Sequence, residues 1–302
     1  MSKAGHWLGY LVFKMTTVPI SFLPRPFCLA VGRSFGRLAF RLDRRHREIA
    51  LDNLALAFGR EKTPAERRIL ARRAFIQLGR TLADILKSTR YSPKRIMSLL
   101  DVEGRHYLEN ALAQGKGALP FTGHYGNWEF AAAGVSGIGR LRVIARALDN
   151  PFIERDLARL RAKFGAGVIN KIGAARPILK SLGRNEMVAI LIDLNVLRSG
   201  QPVFVDFFGK LAATAPALAA FHLKTGAPLV PVFCVPAEKG RYRVKIHEPL
   251  AIPLSGRSEE DVLKITQICT KMIEKEIRQR PEFWFWVHKR WNTRPAEEVT
   301  KT

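Results

Sequence analysis

The chain has 302 residues, 47% of them hydrophobic, which excludes general disorder and allows a sizeable core, as one large domain or one domain with a helical attachment. Fifty lysines and arginines against 26 aspartates and glutamates give a net charge of +24, a field that favours nucleic acid, an anionic lipid surface or an acidic protein partner. The three cysteines, Cys28, Cys234 and Cys269, are far apart and in no metal-like spacing, which argues against a disulfide framework and for a reducing compartment.

Residues 7–24 open on Trp7-Leu8-Gly9-Tyr10-Leu11-Val12-Phe13 and run past Lys14 to Pro24 without a further charge. The stretch nears the length of a membrane span, but Lys14, Pro19 and Pro24 interrupt it. No small-residue cleavage site follows, as a secretory signal would need. An interfacial or tilted, partly inserted anchor is expected. Arg33, Arg37, Arg41, Arg44, Arg45 and Arg47 then interleave with Phe35, Leu38 and Leu42 at helical spacing. Such a run is commonly a solvated helix face; directly after an apolar anchor it fits a helix lying on anionic headgroups. Thr63-Pro64-Ala65-Glu66 marks a second helix start, with a Thr cap and Pro in the first turn. That helix carries Arg67, Arg68, Arg72 and Arg73 opposite Leu70, Ala74, Leu78 and Leu82.

From about residue 113 short apolar runs alternate with amphipathic helices, the α/β pattern. Strands are expected at 118–121, 141–145, 167–170, 187–192, 228–235 and 242–246, with helices at 151–164, 176–182 and 259–280. The tail from Pro281 to Trp291 holds three of the five tryptophans beside cations, and reads as a packed closing strand, an interfacial aromatic belt, or a mixture. The fold class expected is α/β: a central mixed, mostly parallel sheet flanked by helices, with an N-terminal helical membrane-associating segment. The division expected is an anchor and basic helix over 1–47, a helical region packed on the core over 48–112, and the α/β core with its closing helix and Trp-rich segment over 113–302.

Chemistry concentrates in Thr122-Gly123-His124-Tyr125-Gly126-Asn127-Trp128-Glu129, between an apolar run and the helix opening at Phe130. A carboxylate holding one imidazole nitrogen raises the basicity of the other, so His124 and Glu129 are candidate base and partner. The plainer reading makes Asn127 a helix cap and Glu129 a complement to the helix dipole. On one continuous helix the five-residue offset would part His124 and Glu129 by about 140°, so they meet only if the chain bends, which Gly123 and Gly126 permit. Further on, Asp193 and Asn195 follow one apolar run, Arg146 ends another, and Arg161 lies in the helix after Asn150-Pro151. Singly these are ordinary surface or capping residues; with His124 and Glu129 they outline a polar cleft at the carboxyl ends of strands. No Gly-x-Ser-x-Gly elbow is present. His6, His46, His106, His222, His247 and His288 form no metal-like set, so neither a metal nor a cofactor is expected.

His124 to Glu129 resembles the His-(four residues)-Asp/Glu motif of glycerolipid-type acyltransferases, and in wording the bacterial late acyltransferases of lipid A biosynthesis. Further blocks agree in order: Ile49-Ala50-Leu51-Asp52-Asn53-Leu54, Arg146 to Pro151, Phe207-Phe208-Gly209 through Thr214, and Trp286 to Pro295. The resemblance implies His124 as general base with Glu129 as its partner, and Arg161, Asp193, Arg146 and Asn127 as substrate-binding residues. It implies an acyl donor, acyl-carrier protein ahead of acyl-CoA, a phosphorylated glycolipid acceptor, and residence on the inner (cytoplasmic) membrane with the site on the cytoplasmic side. Asn195 departs from members that carry an acid there, which puts the second polar position of that loop in doubt. The rival classes are a nucleic-acid-binding protein, disfavoured by the lack of zinc spacing or an RNA-binding motif, a non-catalytic membrane scaffold, and a hydrolase using the same His/Glu pair on water.

Overall fold

A computed structural model describes residues 3–296; the extreme ends of the first and last expected units, 1–2 and 297–302, lie outside the described residues. Four helices come first: α1 (Lys3–Phe22), α2 (Arg25–Leu42), α3 (Arg44–Phe58) and α4 (Pro64–Ser88). The expected start of α4 holds in detail. Thr63 Oγ1 accepts from Glu66 N–H while Glu66 accepts from Thr63 N–H, a reciprocal capping box.

Helix α2 packs along α4 through small residues. Its buried positions Cys28, Gly32 and Gly36 recur every fourth residue and lead to Phe40. A Cβ on Gly32 would lie 2.5 Å from the Gly79 carbonyl oxygen of α4, so the two backbones meet where only glycine fits. Arg25 clamps the pair, donating from Nε and Nη2 to the buried Asp84 of α4 at 2.8 and 2.6 Å. Because the small face turns inward, Phe27, Val31, Phe35, Leu38 and Leu42 are left exposed beside Arg33, Arg37 and Arg41. On α1 the exposed large apolar residues are Trp7, Leu8, Leu11, Val12, Met15 and Phe22. No helix among the described residues is long and apolar enough to cross a membrane.

The remainder is a seven-stranded sheet flanked by helices. After α5 (Pro93–Met97) the chain lays down β1 (Leu100–Glu103), α6 (Arg105–Ala113), β2 (Leu119–Thr122), α7 (Trp128–Ser136), β3 (Leu141–Ala145), α8 (Pro151–Lys163), β4 (Ala166–Asn170), α9 (Ala175–Leu182) and β5 (Met187–Leu191). A separate antiparallel hairpin, β6 (Val203–Phe207) and β7 (Lys210–Thr214), precedes α10 (Ala217–Thr225), β8 (Leu229–Pro236), β9 (Tyr242–Ile246) and α11 (Ser258–Gln279). The sheet order is β1-β9-β8-β2-β5-β3-β4, parallel throughout except for β8 against β9. Central β2 is covered on both faces and buried at every position, which is why it reads as an unbroken apolar run. The sheet starts before residue 113, where the change of pattern had placed it: Leu100-Asp101-Val102-Glu103 is an edge strand with only its first residue buried. So short and polar an edge leaves almost no apolar period to read.

The block Phe207-Phe208-Gly209 makes the hairpin turn. Phe208 and Gly209 both have positive φ, the signature of a primed two-residue turn. Phe208 accepts that cost for a non-glycine residue because its ring is buried against Phe58 and Trp286. The tryptophan-rich tail is neither a strand nor an interfacial belt. Trp284, Trp286 and Trp291 are buried, packed edge-on or stacked with one another and with Phe207. Only Trp284 makes a strand-like bridge, to Tyr125. Asn53 of α3 ties the tail down, its amide donating to the carbonyls of Trp286 and His288 at 2.7 and 2.6 Å.

Candidate active site

Strand pairing brings the two central groups together. In the β2/β5 ladder Phe121 sits opposite Ile190 and Thr122 opposite Leu191. The same register carried two residues past the strand ends sets His124 beside Asp193. His124 Nδ1 lies 2.8 Å from Asp193 Oδ1, and the His124 backbone N–H donates to Asp193 Oδ2 at 2.7 Å. Trp284 Nε1–H gives Oδ2 a further donor at 2.8 Å. Burial pushes the Asp193 carboxyl up, but the charge of His124 and these hydrogen bonds outweigh it and hold the group below the usual carboxylate range. An ionised Asp193 accepts a hydrogen bond from Nδ1–H, which leaves Nε2 as the free lone pair. The imidazole is about one-fifth exposed, packed edge-on against Trp128 with its ring centroid 5.2 Å away and beside Phe285.

The turn between β2 and α7 is fixed at both sides. A Cβ on Gly123 would fall 2.9 Å from Asp193 Oδ2, so glycine lets the carboxylate close on the backbone. Gly126 has φ +63°, and a Cβ there would lie 1.9 Å from the Cys234 carbonyl oxygen of β8. The tail flanks this turn, with Gly126 N–H donating to Phe283 O and Phe285 N–H donating to His124 O. Thr81 of α4 donates to the Gly126 carbonyl at 3.1 Å, joining the helical region to the same turn.

The structure corrects the expected partner of His124, which is Asp193 and not Glu129. Asn127 caps α7, accepting from Phe130 N–H, so Glu129 falls in the first turn of that helix. There it meets Arg161 of α8 in a two-pronged pair, Nε to Oε2 at 3.0 Å and Nη2 to Oε1 at 2.6 Å. Burial lowers the Arg161 pKa, but the hydrogen bond and charge of Glu129 overcome it and the net shift is upward. Arg161 is therefore no free anion clamp: two of its nitrogens are committed, and Nη1 stays outside the fork. The pair borders a small, largely apolar cavity lined by Phe130, Ala133, Leu160 and Phe164.

Two of the residues expected to bind substrate have other partners in the structure. Asn127 is wholly buried, its side-chain oxygen spent on the cap. Arg146 leaves the end of β3, on the far side of β5 from β2, and pairs with Asp149 at 3.1 Å on the exposed surface. Asn195 is a clamp on the tail, its amide donating to Thr293 Oγ1 while Thr293 N–H donates to its oxygen. His288 completes that clamp by accepting the Asn195 N–H on Nε2 at 2.8 Å. Sequence reasoning missed Trp284 as a donor to Asp193 and His288 as a clamp on Asn195. Their cluster was visible, but its role needed the tail's path behind the sheet.

The fold sets a histidine–aspartate pair at the carboxyl end of a central parallel strand, and comparison with known proteins identifies the chain as an acyltransferase. The family model described as bacterial lipid A biosynthesis acyltransferase matches residues 1–293, and the chain belongs to that family. It is 26% identical to the lipid A biosynthesis palmitoleoyltransferase of Escherichia coli K12, over 91% of this chain and 88% of that protein. It is 27% identical to the lauroyltransferase of the same organism, over 96% and 93%. The phosphatidylinositol mannoside acyltransferase of Mycolicibacterium smegmatis is 28% identical over 65% of this chain and 64% of that protein.

Proposed function

We propose that this protein transfers a fatty acyl group from an acyl thioester, carried on acyl-carrier protein, to a hydroxyl of a phosphorylated lipid A precursor. The observation that carries the reading is the His124–Asp193 pair, with Nε2 unbonded and the ring partly exposed. Nε2 takes the proton of the acceptor hydroxyl as its oxygen attacks the thioester carbonyl. The tetrahedral oxyanion collapses, the C–S bond breaks, and the departing thiolate takes the proton back from His124. The thioester is already activated, so no covalent enzyme intermediate is needed. Removing a hydroxyl proton in the transition state gives a positioned base a gain of about 10²–10⁴-fold. Arg161, oriented by Glu129, is the candidate donor to the oxyanion or to an acceptor phosphate through Nη1. The lipid A acceptor is supported by the family and by the palmitoleoyl- and lauroyltransferase relatives. Acyl-carrier protein is acidic and suits a chain of net charge +24. Mass spectrometry of lipid extracts from cells expressing the protein tests this. The active chain adds one acyl mass to a lipid A species and His124→Ala does not; equal acylation by both would sink the base assignment.

Association with the inner membrane is part of the same proposal. The exposed apolar stripes of α1 and α2, bordered by arginines, fit helices lying in the plane of an anionic leaflet. A buried large apolar side chain contributes about 1.5–3 kcal/mol. Phe35→Asp with Leu38→Asp is therefore expected to lower binding to anionic vesicles by more than about tenfold in a flotation assay. Unchanged flotation of the double variant would place the contact elsewhere.

A further inference from the structure

Asp193 sits at a charge problem that its hydrogen bonds do not solve. While His124 is a free base, every donor to the carboxylate is neutral: a ring N–H, a backbone N–H and an indole N–H. A carboxylate kept ionised in so enclosed a place needs a compensating cation. The tail supplies one. Arg290 has no exposed surface. Its guanidinium donates to the Ala213 carbonyl and the Thr214 hydroxyl of β7, and at 3.4 Å to the carbonyl of Leu194, the residue after Asp193. It lies 5.4 Å from the centroid of the Phe207 ring. Those partners are neutral too, and the charge that acts on the buried guanidinium is that of Asp193.

We propose that Arg290 is the positioning cation of the site: its sealed charge balances Asp193, keeping the carboxylate ionised while His124 is neutral and so keeping Nε2 available as the base. The proposal rests on the proposed role of His124. Burial draws the Arg290 pKa down to about 10, opposed by the charge of Asp193, and leaves it a cation at neutral pH. The other groups around the pair do not substitute for it. His288, from the same tail, is held below the ordinary histidine range by burial and accepts the Asn195 N–H, so it is uncharged there. Trp128 of α7, Phe285 and Trp284 of the tail, and Ile273 of α11 are neutral, and Arg161 is matched by Glu129.

The sign of the effect follows. With Arg290 neutralised, the unbalanced Asp193 charge favours the imidazolium, and the His124–Asp193 unit takes up its proton at higher pH. In Arg290→Gln the acid limb of kcat/KM is expected to move upward by about one pH unit. The ¹⁵N titration of His124, assigned by loss of its signal in His124→Ala, is expected to move with it. Arg290→Lys keeps the charge and is expected to keep both midpoints. A limb and a titration unmoved in Arg290→Gln would overturn the proposal and leave Arg290 a structural clamp. Should Arg290→Gln fold too poorly to assay, its midpoint of denaturation against that of the Asp193→Asn/Arg290→Gln double variant decides. Removing the orphaned charge is expected to restore part of the lost stability, and strictly additive losses would overturn the idea. The titration and the stability cycle need no turnover, so they fail separately from the acyl-transfer reading, which the inactivity of His124→Ala tests.

Discussion

Asp193→Asn is expected to lower kcat by about 10³–10⁴-fold with little change in KM, as loss of the carboxylate does in other histidine-base enzymes. The carboxylate accepts from Nδ1–H and so keeps the lone pair on Nε2, where the proposed base needs it. A carboxamide presenting its NH₂ to the ring would reverse this, putting the proton on Nε2 and removing the base. The backbone N–H of His124 and the Trp284 indole also lose their charged acceptor, so the turn should loosen as well. A pH effect accompanies the change. The Asp193 pKa is lowered in the folded protein, so the unfolded chain binds the extra proton first as pH falls. The stability Asp193 contributes is complete above the unfolded carboxylate value of about 4 and is lost as pH drops through the folded one. Acid unfolding followed by circular dichroism should therefore be less steep below pH of about 4 in the variant. A variant with wild-type kcat would remove Asp193 from the mechanism.

Glu129→Gln is expected to cost about 3–5 kcal/mol of stability, because it leaves the Arg161 guanidinium without its counter-charge in a largely buried place. Both side chains are close to nine-tenths covered, so solvent screening does little to reduce the effect. Urea denaturation measures it. The variant is also expected to lose turnover through displacement of Arg161, with the pH position of the His124 limb unchanged. That combination separates the two carboxylates: Asp193 acts on the proton of His124, while Glu129 acts on the placement of Arg161. An Arg161→Met/Glu129→Gln double variant should recover part of the lost stability. Equal losses in the single and double variants would mean the pair is not the cause.

Much of this was legible from the chain. The six strands read from apolar runs are all present, and α4 begins at its capping box. The turn from His124 to Asn127 is also between strand and helix, as the sequence placed it. The partner of His124 was not legible, because a spacing motif speaks only of neighbours along the chain, whereas Asp193 arrives through strand order and register. Nothing local in the sequence says that β5 lies next to β2. Arg146 also follows a strand, but one placed a strand further from β2, a distance the sequence does not show. On α2 the expectation of an apolar face was right, and its direction became clear only from Gly32 and Gly36, whose smallness turns the large side chains outward. The tail's tryptophans resembled membrane anchors because interfaces and cores both favour the ring; packing behind Asp193 decided for the core.

Purified protein in mixed micelles, supplied with acyl-acyl-carrier protein and a phosphorylated lipid A precursor, gives the most direct test, with acylated lipid and released thiol measured together. The expected result is one acylated lipid for each thiol released, in a reaction that His124→Ala nearly abolishes. Thiol release accompanied by free fatty acid and no acylated lipid, or full turnover without His124, would contradict it.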